Sequence, residues 1–202
     1  MNIDDLQKYY EFLHKKLMSG ESGSVLNSDR AHNAVIERFM LDTSNNIKMY
    51  CGEMSVFREG FYRHIDQSVM DFMGDGQETL GSILKQQLCE SLRGFINNSN
   101  SKLSIFLERY QDSYAEDLIA PEIFRDGISC GKICIYRFKN DIFLKNKVAH
   151  TSCSDKNFIR VERNPETHEA ICTINASTDD LNNVNNMFTS MYSHVQEVKL
   201  FA

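Results

Sequence analysis

Apolar side chains recur along this chain with two different periods, and each period predicts a local structure. Spacings of three and four residues, typical of one face of an α-helix, occur in residues 3–18, 28–43, 55–72, 80–96, 114–124 and 178–191. Short apolar runs of strand length occupy residues 47–51, 102–107 and 132–138. Residues 19–27 and 74–76 are rich in Gly, Ser and Asp and are interpreted as loops. The resulting order of strands and helices predicts an α/β protein.

Residues 148–175 show a different pattern, in which two turn signals separate three short strands. The turns are Ser154-Asp155-Lys156-Asn157 and Asn164-Pro165-Glu166-Thr167. The segment therefore predicts an antiparallel meander. If the first turn is tight, Ser152 faces Ile159 and His150 faces Val161, with Thr151, Arg160, Ala149 and Glu162 on the opposite face. His150 would then need a hydrogen-bonding partner on a mostly apolar face, and Asp155 in the turn is one candidate.

Together these elements predict a mixed, mostly parallel sheet flanked by helices, with an antiparallel C-terminal meander and an N-terminal helical extension. The predicted division places the helical extension in residues 1–44 and the α/β domain in residues 45–202. The loop at residues 19–27 would allow the first helix to move or to exchange between two copies of the chain.

Composition and charge narrow the function further. With 42% hydrophobic and 25% charged residues, the 202-residue chain is typical of a globular protein. A net charge of −6 argues against nucleic acid as the main partner, although a local basic patch is compatible with an acidic whole. Six cysteines without C-x-x-C pairs predict neither a metal site nor a disulfide framework. The absence of a signal-like start and of a long apolar run leads us to expect a cytoplasmic protein that does not insert into membranes.

The succession of βαβαβ, a strand beginning HTSCSD and a hairpin rich in R-x-E resembles one half of a phospholipase D-like domain over roughly residues 45–195. That family carries H-x-K-x-x-x-x-D, in which the histidine forms a phosphohistidine and the lysine binds phosphate, and two halves meet in one active site. His150 matches the histidine, whereas Ser152 stands at the lysine position and Asn157 at the aspartate position, with Asp155 two residues earlier. The resemblance implies the fold and a homodimer.

The substitution at position 152 decides which function is expected first. A hydroxyl in place of an ammonium removes a charge that stabilises a phosphoryl transition state, a loss of about 2.7–4 kcal/mol. We therefore expect a non-catalytic binding or assembly module without a cofactor, whose partner is another protein. Its expected contact surface is the charged part of the meander, made of Lys156, Arg160, Glu162, Arg163 and Glu169.

An enzyme remains the alternative, and the sequence leaves this choice open. A phosphodiesterase or nuclease in a homodimer would use His150 with Asp155, Arg160 and Glu162 as a divergent acid-base site. Glu162 and Glu169 would face each other across the second turn, where Arg160 or Arg163 would offset their repulsion. A pair of carboxylates without a third ligand is a weak metal signal, so no metal site is predicted.

Overall fold

The computed structural model describes residues 2–68, 78–140, 142–164 and 166–201. The helices are α1 (Ile3–Ser19), α2 (Arg30–Thr43), α3 (Glu59–Gln67), α4 (Leu80–Asn97), α5 (Pro121–Ser129), α6 (Ile142–Lys145) and α7 (Thr178–Tyr192). The strands are β1 (Gly23–Asn27), β2 (Asn46–Cys51), β3 (Lys102–Leu107), β4 (Ile133–Phe138), β5 (Thr151–Ser154), β6 (Phe158–Asn164), β7 (Glu169–Ile174) and β8 (Val195–Glu197). The predicted break at residues 74–76 and the predicted proline turn at residue 165 lie outside the described residues.

All eight described strands form one sheet in the order β1-β7-β6-β5-β2-β3-β4-β8. The mixed α/β class, the meander and the N-terminal helix are confirmed. Parallel pairing is limited to β2, β3 and β4, so the sheet is mostly antiparallel and not mostly parallel as predicted. The difference arises because β1 and β8 add antiparallel partners at the two edges, and β5 joins β2 antiparallel.

The two faces of the sheet have separate hydrophobic clusters. Helices α1 to α5 pack on one face, where Leu13, Phe39, Leu88 and Phe124 are fully buried. On the other face α7 packs through Phe188, together with side chains of β2, β3 and β5. Two buried faces explain why the central strands appear in the sequence as nearly continuous apolar runs.

Strand β1 lies where the sequence predicted a loop, in residues 19–27. It pairs with β7 over five residues, from Gly23 opposite Ile174 to Asn27 opposite Ala170. Its sequence, GSVLN, contains residues that are poor strand formers, so its conformation depends on the ladder with β7. Both β1 and α2, from the predicted N-terminal extension, thus belong to the sheet and the core that surround the site.

The first hairpin of the meander has a different register from the predicted one. Ser154 pairs with Phe158, which leaves a three-residue loop whose last residue, Asn157, has a φ of 57°. This is the common three-residue hairpin with a left-handed residue at its end. Ser152 consequently pairs with Arg160, not with Ile159. A shift of one residue exchanges the two faces of a strand, and it places His150, Ser152, Arg160 and Glu162 together.

No helix within the described part of the chain is both long and apolar enough to cross a membrane.

Candidate functional site: a polar cleft around His150

A cleft of about 880 Å³ opens where the parallel strands β2 and β3 end. Gly52 follows β2 and Glu108 follows β3, while His150 immediately precedes β5. The carbonyl of His150 accepts a hydrogen bond of 2.9 Å from the backbone N–H of Glu162, which continues the β5–β6 ladder by one residue. The carboxyl ends of parallel strands in open α/β sheets are the usual place for ligands, because loops diverge there.

The imidazole ring of His150 lies between two carboxylates. Its Nδ1 lies 2.5 Å from Glu162 Oε2 and its Nε2 lies 3.1 Å from Glu108 Oε2. Gly52 allows the ring to come this close, because a Cβ at that position would lie 3.2 Å from His150 Cε1. The edge of the ring also faces Tyr50, at 5.5 Å between centroids.

These contacts set the charge of His150. Burial alone would lower the pKa of the imidazole, but the hydrogen bonds to Glu162 and Glu108 outweigh it and hold the pKa above its ordinary value. Both carboxylates accept, so both ring nitrogens carry a proton in the favoured state. The two carboxylates therefore favour the imidazolium form of His150.

Glu162 is the centre of this network. Besides His150, its Oε1 accepts from Arg160 Nη2 at 3.2 Å and lies 3.4 Å from His168 Nδ1. Burial would raise the pKa of Glu162, but the hydrogen bonds from the two histidines and the charge of Arg160 lower it well below its usual range. Its carboxylate thus stays ionised although only 7% of the side chain is exposed.

The rim and the floor of the cleft differ in charge. Arg109, Lys147 and Arg163 line the opening, are exposed, and have no ion pair within the described residues. The floor includes Glu37 on α2, which is buried beside Arg160 and Glu162. No group of three His, Cys, Asp or Glu side chains in the described ranges is arranged to hold a metal ion.

The structure brings four of the predicted site residues to one cleft and places the others outside it. His150, Arg160 and Glu162 share the cleft, and Arg163 lines its rim. Asp155 is not the partner of His150, because it lies in the hairpin loop at the far end of β5, where its Oδ1 accepts from the backbone N–H of Asn45 at 3.0 Å.

Two residues of the predicted contact surface also lie outside the cleft. Lys156 is exposed in the hairpin loop. Glu169 pairs with Asn164 next to a bulge, on the opposite face of β7 from Ala170, which pairs with Glu162. The expected opposition of Glu162 and Glu169 is therefore wrong. Arg160 and Glu162 are buried in the cleft wall, where a small ligand has better access than a protein surface.

Sequence reasoning missed Glu108 and Glu37, and it placed His168 on the charged surface of the meander without predicting its contact with Glu162. Glu108 carried a usable signal, since it directly follows an apolar strand whose carboxyl end faces the site. His168 adopts a φ of 60°, and its carbonyl accepts from Asn27 Nδ2 at 2.6 Å. That left-handed turn points its ring toward Glu162, which alternation along a strand does not predict. No sequence pattern around Glu37 indicated a functional role, because its helix has the usual alternation of apolar and polar faces.

Comparisons with known proteins define the fold and leave the family open. No protein family matches the sequence, and no curated protein matches it. Among solved structures, the chain is similar to TrmBL2, an archaeal chromatin protein whose structure shows a novel mode of DNA binding. The TM-score is 0.51 with 12% identity over 87% of this chain and 54% of that one.

A second similar structure is phosphatidylserine synthase from Haemophilus influenzae Rd KW20. Its TM-score is 0.48 with 8% identity, over 88% of this chain and 40% of that protein. The chain thus spans about half or less of the proteins it matches. At 12% identity, the similarity to TrmBL2 establishes a shared fold and no more.

Proposed function

We propose that the chain is a non-catalytic binding module with a phospholipase D-like fold, and that the cleft around His150 takes a phosphate-bearing ligand. The observation that carries the proposal is the engagement of both ring nitrogens of His150 by carboxylates. A histidine that attacks phosphorus needs an unprotonated ring nitrogen directed at the substrate. Glu108 occupies that direction at Nε2, and both carboxylates favour the protonated ring by raising its pKa.

The rim supplies the attraction for an anion. Arg109, Lys147 and Arg163 have no ion pair within the described residues. The guanidinium of an arginine can donate two parallel hydrogen bonds to two oxygens of one phosphate. Their positions around an opening of this size suit a small phosphoester that enters from solvent. Ser152, where the phospholipase D-like signature has lysine, lines the same cleft and offers a hydroxyl without a charge.

A phosphodiesterase is the second candidate, and one observation favours it. Glu162 holds His150 Nδ1 at 2.5 Å, the arrangement by which a carboxylate orients a catalytic histidine. The ring lies in an open polar cleft and not in a closed apolar pocket. If a substrate phosphate displaced Glu108 and the Nε2 proton passed to solvent, Nε2 would become free for attack.

Binding and turnover of bis(4-nitrophenyl) phosphate distinguish the two functions. We expect calorimetry to detect binding by the wild-type chain, while absorbance shows no release of nitrophenol. Replacing Arg109 and Arg163 by Gln should weaken binding, because their charges face the phosphate. Lys156→Gln, which removes an exposed cation in the distant hairpin loop, is the matched control and should leave binding unchanged.

Each other result has a definite meaning. Release of nitrophenol by the wild type that disappears in His150→Gln would establish the phosphodiesterase. Release that appears only in Glu108→Gln would show that this carboxylate blocks an otherwise competent histidine. If the wild type neither binds nor cleaves the probe, the cleft is not a phosphate site and the proposal is wrong.

A further inference from the structure

The floor of the His150 cleft contains polar atoms without partners. Asn33 and Glu37 lie one turn apart on α2 and both line the cleft. They are 5% and 4% exposed. Asn33 Oδ1 is buried without a hydrogen-bond donor. The Glu37 carboxyl group receives no hydrogen bond from the described residues and feels only the charges of Arg160 and Glu162. A buried acceptor is normally satisfied, so Asn33 Oδ1 without a donor beside the cleft points to a missing binding partner.

The charges of the floor show which kind of partner is missing. The cations His150 and Arg160 are already paired with the anions Glu108 and Glu162. Glu37 and Glu162 are the buried carboxyl groups of the cleft, and Glu37 has no ion pair with a described residue. A second anion would be repelled by Glu162, whereas a cation would balance the site.

We propose that Asn33 and Glu37 form a subsite for the ammonium group of an amine-bearing ligand. An ammonium carries three donors and one positive charge, so it satisfies Asn33 Oδ1 and the Glu37 carboxylate together. A hydroxyl would satisfy Asn33 but would leave the charge of Glu37 unbalanced. Arg160 Nε also lacks an acceptor, which favours a ligand with an oxygen near its amine.

The groups that the floor and the rim would each bind together define the class of ligand. The phosphate part of this inference rests on the proposed function. The floor would hold an ammonium while Arg109, Lys147 and Arg163 would hold a phosphate. The ligand is then a small zwitterion, an aminoalkyl phosphate or its ester.

The subsite makes binding depend on pH through Glu37. Burial raises the pKa of Glu37 to about 7, although the charge of Arg160 acts in the opposite direction and that of Glu162 adds to the rise. An ammonium binds the ionised form, so its affinity increases as the pH rises through this pKa. His150, whose pKa is also raised, contacts Glu162 in the same cleft. The thiols of Cys51 and Cys172 and the phenol of Tyr62 also lie near Glu37, and burial raises their own pKa values. They stay neutral over this range.

Two phosphates that differ in one group test the subsite on the full chain. At one pH unit above the pKa of Glu37, 2-aminoethyl phosphate should bind about ten- to a hundredfold more tightly than 2-hydroxyethyl phosphate, the range expected for a charged buried hydrogen bond. One unit below that pKa the preference should shrink. Comparison of the wild type with Glu37→Gln for the same phosphate at equal pH cancels the titration of the phosphate itself.

Variants assign the preference to Glu37. Glu37→Gln keeps the shape and removes the charge, so the two phosphates should bind equally, while Glu11→Gln on the exposed face of α1 should retain the preference. If Glu37→Gln does not fold, Asn33→Ser provides the second test, because it withdraws an acceptor and should reduce the preference.

Ethanolamine alone separates failure of the subsite from failure of the proposed function. It should shift the NMR signals of the Asn33 side-chain amide in the wild type and not in Glu37→Gln. If neither phosphate binds but ethanolamine gives this shift, the phosphate site is wrong and the ammonium subsite stands. Equal binding of the two phosphates by the wild type, or the absence of an ethanolamine shift, would overturn the subsite.

Discussion

Glu162→Gln is the substitution that tests the charge network most directly. Glutamine matches the shape of glutamate but brings an NH₂ group toward His150 Nδ1, where the carboxylate now accepts at 2.5 Å. It also removes the charge that balances Arg160, which is itself only 5% exposed. Removing one partner of a buried ion pair typically costs about 3–5 kcal/mol. We expect about 3 kcal/mol here, because the remaining amide oxygen still accepts from Arg160.

The loss should depend on pH in a way that follows from two opposite pKa shifts. Glu162 has a lowered pKa in the folded chain, so its contribution is fully present above the ordinary value of 4.5 and is lost as the pH falls through the folded value. His150 has a raised pKa, so its contribution is fully present below 6.5 and is lost as the pH rises through the folded value. The difference between wild type and variant should therefore be largest between these limits and smaller on either side.

Urea unfolding followed by circular dichroism measures this difference. The variant should show a lower midpoint with an unchanged slope, since the surface exposed on unfolding is the same. Glu169→Gln is the matched control, because Glu169 is partly exposed on the opposite face of β7, and its effect should stay within about 0.5 kcal/mol. A loss below about 1 kcal/mol in Glu162→Gln, or a loss independent of pH, would refute the network as described.

Three further predictions address separate features. An NMR titration should give His150 a pKa above 6.5, and Glu108→Gln should lower it; an unchanged value in the variant would contradict the second carboxylate contact. Gly81→Ala should destabilise the chain by about 1–3 kcal/mol, because the added Cβ would lie 2.5 Å from the Tyr62 carbonyl oxygen. Gly94→Ala on the same helix meets nothing within 4 Å and should stabilise the chain by about 0.5–1 kcal/mol. Thermal unfolding that ranks the two variants the other way would refute this packing. Light scattering should detect the homodimer that the sequence predicts, and a monomer at every concentration would remove that expectation.

The helices show how much local sequence determined. The boundaries of α1, α2 and α4 agree with the predicted segments to within a residue or two, because helical periodicity and N-caps such as Asp29 and Thr79 are local properties. The strands β2, β3 and β4 were equally evident as apolar runs. By contrast, the polar or short edge strands β1 and β8 were not, since neither forms a ladder without its neighbour in space.

The sequence alone predicted some of the residues of the candidate site. The sequence identified His150, Arg160 and Glu162, because ionisable residues clustered in a predicted meander indicate a functional surface. Only the tertiary structure decided that Glu162 and Glu108 are the partners of His150, and that Asp155 is not. The physical reason is that one left-handed residue in the hairpin loop set which side chains share a face, and that side chains distant in sequence met at the carboxyl ends of neighbouring strands. Periodicity along the chain determines neither of these.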